Sequence, residues 1–371
     1  MSLRQKIEEE ICRCGPIPFS RYMEMCLYDP ELGYYAAHAQ QFGKAGDFYT
    51  SSDVHAVFGR LLARQFDEMW RALGSPAGLP IVELGPGRGL FAQDVLDWAE
   101  KNFPDFFTAA QYVLVEASDA LRVRLGETLQ RHIASGKAEV RNELPAQVEE
   151  PAIIFANEFF DALPVEVVSP RGGLRIGCDQ GRFVESFAPP SAAALEYMDR
   201  YSVHPETGER VEAALRAQDC MGNIAQRLQR GFVIVIDYGY TREEQLAGRH
   251  RGTVTAFRRH TISASPYEAP GEQDITAHVN FTGLQEAGKA GGLEPLALLT
   301  QAQFLMGIGE DNQFADAFEE ARLPQEQAKV ALQLKHLVTP AGMGESFHVL
   351  VMSKGVDAAT GRRLSGLKFA R

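Results

Sequence analysis

Apolar residues recur along this chain in two patterns, which predict two kinds of element. Short apolar runs that end in acidic or amide residues are typical of buried parallel strands. The predicted strands are 81–84, 111–116, 138–141, 151–156, 232–236, 293–299 and 347–352. Helical stretches, with apolar residues three and four positions apart, lie between most of them. This alternation predicts an α/β fold, either as one large domain with additions or as two domains.

Capping and turn residues indicate where the predicted helices begin and end. Ser20 is a candidate cap for a helix at 21–27, and a residue at 51–53 is a candidate cap for a long helix. Residues 274–281 are predicted to open a helix. The remaining helical stretches are 2–14, 90–98, 121–133, 191–230 with a break at 205–208, and 312–337.

Changes in this periodicity divide the chain into four regions. Residues 1–76 form an N-terminal helical arm with a tyrosine-rich loop at 28–50, which either packs on the core or covers a ligand as a lid. Residues 77–164 and 231–371 form the two halves of the core. Residues 165–230 form an α+β insertion, with predicted strands at 166–169, 174–178 and 182–187 before a polar helical stretch.

A glycine-rich turn follows the first predicted strand of the core. It contains Gly85, Gly87 and Gly89 and leads into a helix, a geometry that brings backbone close to a ligand. The dinucleotide pattern G-x-G-x-x-G needs its third glycine where Leu90 stands, and the G-K-[S/T] ending of a phosphate-binding loop is missing. The turn is therefore either purely structural or the binding site of another kind of ligand.

Polar side chains also follow the next predicted strands. Glu116 ends the strand after the glycine turn, where a carboxylate typically accepts hydrogen bonds from ribose hydroxyls, or where it lies at the surface before the next helix. Asn157, Glu158 and Asp161 follow a later strand, at the edge where open α/β sheets bind ligands. A helix cap would explain Asn157 alone.

Composition narrows the classes of function. The net charge of −12 over 371 residues argues against a nucleic-acid partner. The five cysteines are scattered, and Cys12-Arg-Cys14 does not have the spacing of a zinc or redox pair, so we predict reduced thiols and no metal site. No apolar run has the length of a transmembrane helix, and the acidic N-terminus does not suit a signal or transit peptide. We therefore expect a cytoplasmic protein.

Several separate stretches together resemble the MidA-like family, a branch of class I S-adenosylmethionine-dependent methyltransferases. The stretch at 157–164, Asn-Glu-Phe-Phe-Asp-Ala-Leu-Pro, is the most specific, and the glycine turn resembles methyltransferase motif I. The other matching stretches are Tyr28-Asp29-Pro30 with Gly33-Tyr34-Tyr35, Gly46-Asp47-Phe48, Asp237-Tyr238-Gly239, 274–281 and Gly344-Glu345.

The resemblance implies a Rossmann-like sheet of about seven strands with helices on both faces, and S-adenosyl-L-methionine as the cofactor. Residues 77–164 would then be the cofactor-binding half. Glu83 would serve the ammonium of the cofactor's methionine end. The implied cofactor-binding residues are Gly46, Asp47, Phe48, Glu83, Gly85, Gly87, Gly89, Glu116 and Asn157.

The resemblance also implies an acceptor, because the family includes the mitochondrial arginine methyltransferase that assists assembly of respiratory complex I. A guanidinium is protonated at any ordinary pH, and a nearby carboxylate can hold its charge on one nitrogen and leave another more nucleophilic. Glu158 and Asp161 occupy the place, after the fourth strand, where the better-known arginine methyltransferases carry such glutamates. His278 is either the base that accepts the released proton or a structural residue.

Three functions stay open at this point. The first is a protein arginine N-methyltransferase that acts on a complex I subunit, the second a methyltransferase for a small-molecule oxygen or nitrogen acceptor, and the third a non-catalytic assembly factor. Intact Glu83, Gly87 and Glu158 favour an enzyme. The insertion at 165–230 either binds the protein substrate or forms a homodimer contact.

Overall fold

The computed structural model describes residues 1–37, 56–148, 151–258 and 261–370. The predictions for Gly46, Asp47 and Phe48, and for a helix cap at 51–53, lie outside the described residues. No helix in the described ranges combines the length and the apolar character needed to cross a membrane.

Strands and helices alternate along most of the described chain. The strands are β1 (Ile17–Pro18), β2 (Leu79–Leu84), β3 (Ala110–Val115), β4 (Ala138–Arg141), β5 (Ala152–Asn157), β6 (Glu166–Ser169), β7 (Gly172–Asp179), β8 (Arg182–Ala188), β9 (Val211–Ala213), β10 (Gly231–Tyr240), β11 (Thr255–Arg258), β12 (Thr261–Ile262), β13 (Asp274–Thr276), β14 (Val279–Asn280), β15 (Glu294–Thr300) and β16 (Phe347–Lys354). The helices are Leu3–Cys14, Phe19–Tyr28, Tyr34–Ala37, Ala56–Ala72, Leu90–Asn102, Pro104–Ala109, Asp119–Thr128, Gln130–Ala134, Ala192–Tyr201, Leu215–Arg227, Arg242–Leu246, Phe281–Ala290, Gln301–Glu310, Ala315–Phe318, Pro324–Val338 and Ala358–Gly361, followed by the 3-10 turn Ser365–Leu367.

The central sheet confirms the predicted α/β fold. Its strands lie in the order β4-β3-β2-β5-β10-β16-β15, and β14 pairs with the end of β10. The strands from β4 to β10 pair in parallel, whereas β16 is antiparallel to both β10 and β15. The carboxyl ends of the parallel strands therefore meet at one edge, with β2 and β5 near the middle of it.

Alternating apolar residues bury both faces of this sheet. In β5, Ile153 and Phe155 belong to the hydrophobic cluster on one face, and Ile154 and Ala156 belong to the cluster on the other. This period of two is expected when a strand is covered on both sides. The helices that contribute to the first cluster include Ala56–Ala72, Leu90–Asn102 and Gln301–Glu310, and those of the second are Leu215–Arg227 and Phe281–Ala290.

A smaller antiparallel sheet joins the N-terminal arm to the insertion. Its order is β1-β7-β6-β9, with β8 paired to β7. β1 belongs to the arm and places Ile17 opposite Ile176 of β7. Apolar residues of the first two helices, of the insertion and of β11 and β13 pack in one shared cluster. The arm and the insertion therefore have a common core. Within the insertion, the prediction of a helical stretch at 191–230 is wrong at β9, which is a strand.

Further local predictions are wrong. The second helix begins at Phe19 after Pro18, which makes no side-chain cap, so Ser20 lies inside the helix. Residues 274–281 do not open a helix, because β13 pairs with β11 and β14 pairs with β10 before Asn280 caps the helix at Gly283 N. The stretch 312–337 is divided into two helices, Ala315–Phe318 and Pro324–Val338.

Candidate active site

The glycine turn after β2 adopts left-handed backbone at all three glycines. The φ angles are 63° at Gly85, 54° at Gly87 and 76° at Gly89, a region in which residues with a side chain are strained. A Cβ at Gly85 would lie 2.7 Å from the Phe159 ring, and one at Gly89 would lie 2.7 Å from Leu125. A Cβ at Gly87 would meet no atom within 4 Å among the described residues, so this glycine faces open space.

That open space is a cavity of 280 Å³ at the carboxyl ends of β2, β3 and β5. Seven of the predicted site residues line it, namely Glu83, Gly85, Gly87, Glu116, Asn157, Glu158 and Asp161. Gly89 lies behind the turn as the first residue before the helix Leu90–Asn102. The residues of the lining that were not predicted include Tyr28, Tyr35, Arg88, Asp274 and Thr276.

Glu83 is a buried carboxylate at the floor of the cavity. Only 4% of the residue is exposed, and its Oε2 has no hydrogen-bond partner among the described residues. Burial raises the pKa of Glu83 to about 8, and the nearby Tyr112 hydroxyl acts in the opposite direction. An acceptor oxygen that is buried without a partner is costly, and a cationic ligand would satisfy it.

Glu116 lies just after β3, at the side of the same cavity. Its Oε1 accepts a hydrogen bond of 2.8 Å from Ser118 N, while Ser118 caps the next helix. Burial raises the pKa of Glu116 to about 7, against the smaller effects of the Ser118 amide and Arg122. Glu116 is thus buried at the ligand edge and does not occupy the surface position that was the alternative.

The acidic loop after β5 has a strained backbone at Glu158. Its φ is 48°, which is uncommon for a residue with a side chain, and Glu158 N donates to Ile236 O at 2.9 Å. The Asn157 amide donates to Glu158 Oε1 at 3.3 Å. Strain of this kind persists only where surrounding contacts hold it, and the loop has such contacts.

Asp237, a residue of β10 just beyond its pairing with β5, holds this loop. Its Oδ2 accepts from the backbone amides of Phe159, Phe160 and Asp161 at 3.2, 3.0 and 3.3 Å, and Oδ1 accepts from Tyr238 N at 2.9 Å. Asp237 is fully buried, and burial with the neighbouring carboxylates raises its pKa well above the ordinary value, against the amide donors. From the sequence, Asp237 stands out only as part of a family stretch, although its place directly after the apolar run 232–236 is a signal.

Asp161 faces the cavity and contacts Tyr238 behind it. The Tyr238 hydroxyl donates a hydrogen bond to Asp161 Oδ2. Burial raises the pKa of Asp161 to about 6, and this hydrogen bond acts in the opposite direction. A carboxyl whose pKa is raised in this way is better matched to accept a proton near neutral pH.

His278 lies behind Tyr238 and outside the cavity lining. The two rings pack edge to face with centroids 5.3 Å apart, and His278 Nδ1 lies 3.1 Å from His250 Nδ1. Burial lowers the pKa of His278 to about 4, with a further lowering by His250. The structure thus does not bring His278 together with Glu158 and Asp161 around the cavity.

The N-terminal arm closes one side of the cavity. The Tyr28 hydroxyl donates to Ala162 O at 3.0 Å, and the Tyr35 hydroxyl donates to Asp274 Oδ1 at 3.2 Å. Ser118 Oγ donates to Tyr35 O at 3.3 Å, beside Glu116. The described residues 28–37 therefore pack on the core, and Tyr28 and Tyr35 line one side of the cavity.

These features lie within a region that matches known proteins. A sequence model of the MidA-like S-adenosyl-L-methionine-dependent methyltransferases matches residues 61–299, which include the glycine turn, the acidic loop and β10. The chain belongs to this family. The methyltransferase thus has the fold and the cofactor, S-adenosyl-L-methionine, that the resemblance implied.

Relatives of this methyltransferase are similar over most of its length. It is 30% identical to the Drosophila melanogaster "Protein arginine methyltransferase NDUFAF7 homolog, mitochondrial", over 96% of this chain and 86% of the relative. Its identity to the Mus musculus "Protein arginine methyltransferase NDUFAF7, mitochondrial" is 30%, over 91% of this chain and 81% of the relative. A Burkholderia thailandensis structure bound to S-adenosyl-homocysteine has a TM-score of 0.85 and 30% identity, over 99% of this chain and 95% of that one.

The cavity of the methyltransferase fits its cofactor chemically. The unpartnered Oε2 of Glu83 suits an ammonium group, and the missing side chain at Gly87 leaves room for a ligand against the backbone. Glu116 offers carboxylate oxygens at the end of the next strand, where ribose hydroxyls bind in related folds. These observations are independent of the family match.

Proposed function

We propose that this enzyme transfers a methyl group to a guanidinium nitrogen of an arginine in a protein. The observation that carries the proposal is the convergence of Glu158 and Asp161 on the cavity that contains Glu83 and Gly87. Two carboxylates beside the cofactor site suit a cationic, planar acceptor. The relatives named as protein arginine methyltransferases support the same acceptor.

The cofactor-binding half would hold the cofactor through three groups. Glu83 would pair with the ammonium, Glu116 would accept from the ribose hydroxyls, and the backbone at Gly85 and Gly87 would contact the methionine end. Asn157, and Gly46-Asp47-Phe48 outside the described residues, would complete the site. When bound, S-adenosyl-L-methionine supplies a methyl group on a positively charged sulfur, and the benefit of the enzyme is largely positioning.

Glu158 and Asp161 orient the acceptor. Glu158 accepts two hydrogen bonds from the guanidinium and holds its charge away from the nitrogen that is methylated. The Asp237 hydrogen bonds keep the loop in the strained conformation that directs this carboxylate. Because methylation releases one proton from the reacting nitrogen, a base is needed, and Asp161 serves as that base.

Tyr238 and His278 support Asp161 in this proposal. Tyr238 donates to Asp161 Oδ2, and His278 packs against the Tyr238 ring. His278 has a pKa lowered to about 4 and lies outside the cavity lining, so it is a poor base. We therefore assign His278 a positioning role instead of the proton-accepting role considered from the sequence.

The family resemblance extends the proposal to the acceptor protein. Because the family includes the mitochondrial arginine methyltransferase of complex I assembly, we propose a subunit of respiratory complex I as the substrate. A cytoplasmic location and a homodimer formed through the insertion at 165–230 are further parts of the same proposal.

Methyl incorporation from labelled cofactor tests the acceptor directly. The purified enzyme should label a peptide that contains a single arginine, and acid hydrolysis should return the label as methylarginine. The same peptide with lysine in place of arginine should stay unlabelled. Label on lysine, or only on small molecules of a cell extract, would contradict arginine methylation and favour the small-molecule alternative.

A further inference from the structure

One carboxylate of the cavity comes from outside the central sheet. Asp274 begins β13, in the small three-stranded sheet β12-β11-β13, yet it lines the same cavity as Glu158 and Asp161. Only 8% of Asp274 is exposed. The backbone amide of Ala277 donates to Asp161 O at 2.9 Å, which ties the segment after β13 to the acidic loop. The position of Asp274 relative to Asp161 is therefore set by backbone structure.

Two tyrosines of the N-terminal arm lie over this carboxylate. The Tyr35 hydroxyl donates to Asp274 Oδ1 at 3.2 Å, and the Tyr28 and Tyr35 rings have centroids 5.5 Å apart. Tyr28 is anchored to Ala162 O in the acidic loop. Aromatic rings next to carboxylates are the surroundings that a guanidinium prefers, because it stacks on rings and donates in its plane.

We propose that Asp274 is a specificity residue that binds the charged side chain of the acceptor, with Tyr28 and Tyr35 as its aromatic wall. The inference rests on the proposed arginine acceptor and names the group that selects for it. Glu158 and Asp161 serve the reacting nitrogen, whereas Asp274 contacts the guanidinium from the opposite segment of the chain. Within the described ranges, Glu83 Oε2 in the same cavity has no hydrogen-bond partner, which is an independent observation in favour of a ligand in this space.

A binding experiment isolates the charge of Asp274. The full chain, saturated with S-adenosylhomocysteine, is titrated calorimetrically with a glycine-rich peptide that contains one arginine, and with the same peptide containing neutral citrulline instead. The wild-type protein should bind the arginine peptide at least about a hundredfold more tightly. In Asp274→Asn, which keeps an oxygen for the Tyr35 hydroxyl, this ratio should fall by about tenfold to a hundredfold, the contribution of a hydrogen bond to a charged group.

Three variants control the interpretation. Asp179→Asn, at an exposed aspartate of the β7–β8 hairpin, should keep the wild-type ratio. Tyr35→Phe removes the hydroxyl but keeps the aromatic ring and the charge of Asp274. It should therefore weaken the binding of both peptides to a similar degree. Asp274→Glu should restore much of the ratio. If Asp274→Asn does not fold, Asp274→Ser is the neutral variant to measure.

The outcomes separate this inference from the proposed function. Wild-type methylation of the arginine peptide with an unchanged ratio in folded Asp274→Asn would overturn the role of Asp274 and leave arginine methylation standing. Methylation by a wild-type protein that binds both peptides equally would also overturn it. A wild-type protein that neither methylates nor prefers the arginine peptide would overturn both.

Discussion

The two halves of the cavity are built in different ways. In the half that we propose for the cofactor (the cofactor half), Glu83, Gly85, Gly87 and Glu116 lie in or directly after two neighbouring parallel strands. In the half that we propose for the acceptor (the acceptor half), Glu158, Asp161 and Asp274 depend on hydrogen bonds between segments far apart in the chain, such as those that Asp237 accepts and Tyr35 donates. One half follows from a local strand–turn–helix unit, and the other requires the whole molecule to be folded.

This difference predicts which property a substitution in each half should affect. A substitution in the cofactor half should affect ligand affinity with little effect on the sheet, because the strands are covered by apolar clusters on both faces. In the acceptor half, a substitution that removes a contact between segments should affect methyl transfer and the free energy of unfolding together, whereas one that removes only a charge should affect methyl transfer alone.

The largest effect is expected from Gly87→Val. The branched side chain would occupy the space that the backbone leaves for the cofactor and would need a φ of 54°. S-adenosylhomocysteine affinity, measured by calorimetry, should fall by about a hundredfold or more, which corresponds to roughly 3 kcal/mol. Gly136→Val is the matched control, because Gly136 has a φ of 73°, open space around it and an exposed position. Undiminished affinity in Gly87→Val would remove the turn from the cofactor site.

The next largest effect is expected from Asp237→Ala. It leaves the amides of the acidic loop without their acceptor, and each unsatisfied buried group costs about 1–3 kcal/mol. Single-turnover methyl transfer should fall by about a hundredfold, with a clearly lowered melting temperature and near-normal cofactor affinity. Asp237→Asn keeps one acceptor oxygen and should recover part of both losses. Normal transfer in a destabilised Asp237→Ala would show that the loop needs no such support.

Glu158→Gln should separate catalysis from stability within the acceptor half. The substitution keeps the size of the side chain and removes its charge, which should lower the transfer rate by about one to two decades. Cofactor affinity and melting temperature should change little. Glu9→Gln, at an exposed position of the first helix, is the control for charge removal alone. A lowered melting point with normal transfer would instead make Glu158 a structural residue.

The smallest effect concerns how the stability of the folded protein depends on pH through Glu83, in the cofactor half. Because the folded-state pKa of Glu83 is raised from 4.5 to about 8, the folded protein retains a proton that the unfolded chain releases between these values. The stability associated with this protonated carboxyl is therefore present below pH 4.5 and lost as the pH rises through about 8.

Glu83→Gln removes that pH dependence. Its melting temperature should exceed that of the wild type by a few degrees at about pH 8, with a smaller difference at about pH 5. Cofactor affinity at about pH 8 should fall by about tenfold, because the ammonium loses its charged partner. A pH-independent difference in melting temperature would show that the Glu83 carboxyl is already ionised without ligand.

The parts of the site that could be predicted from sequence are those made by neighbouring residues. The glycine turn, Glu116 and the acidic loop follow strands whose apolar runs are unmistakable, so their place at the ligand edge could be deduced. The fold followed from the same runs.

The remaining parts depend on pairing between distant segments. Asp274 was predicted to open a helix, but pairing of β13 with β11 makes it part of a strand. Asp237 was named only within a family stretch, since nothing local shows that its carboxylate accepts from three amides of another segment. His278 was considered as a base because the sequence does not show that Tyr238 lies between it and Asp161.

The N-terminal position of the arm has a consequence for how the protein is made. The Tyr22 hydroxyl donates to Pro266 O, 244 positions later in the chain, and β1 pairs with β7 of the insertion. A ribosome adds about 5–20 residues each second, so the first helices emerge roughly 10–50 s before these partners exist. During that interval Leu3, Ile7 and Ile11, which are buried in the folded protein, are exposed to solvent or held by a chaperone. Tyr28 and Tyr35, which line the cavity, are therefore synthesised well before Ala162 and Asp274, to which they donate hydrogen bonds.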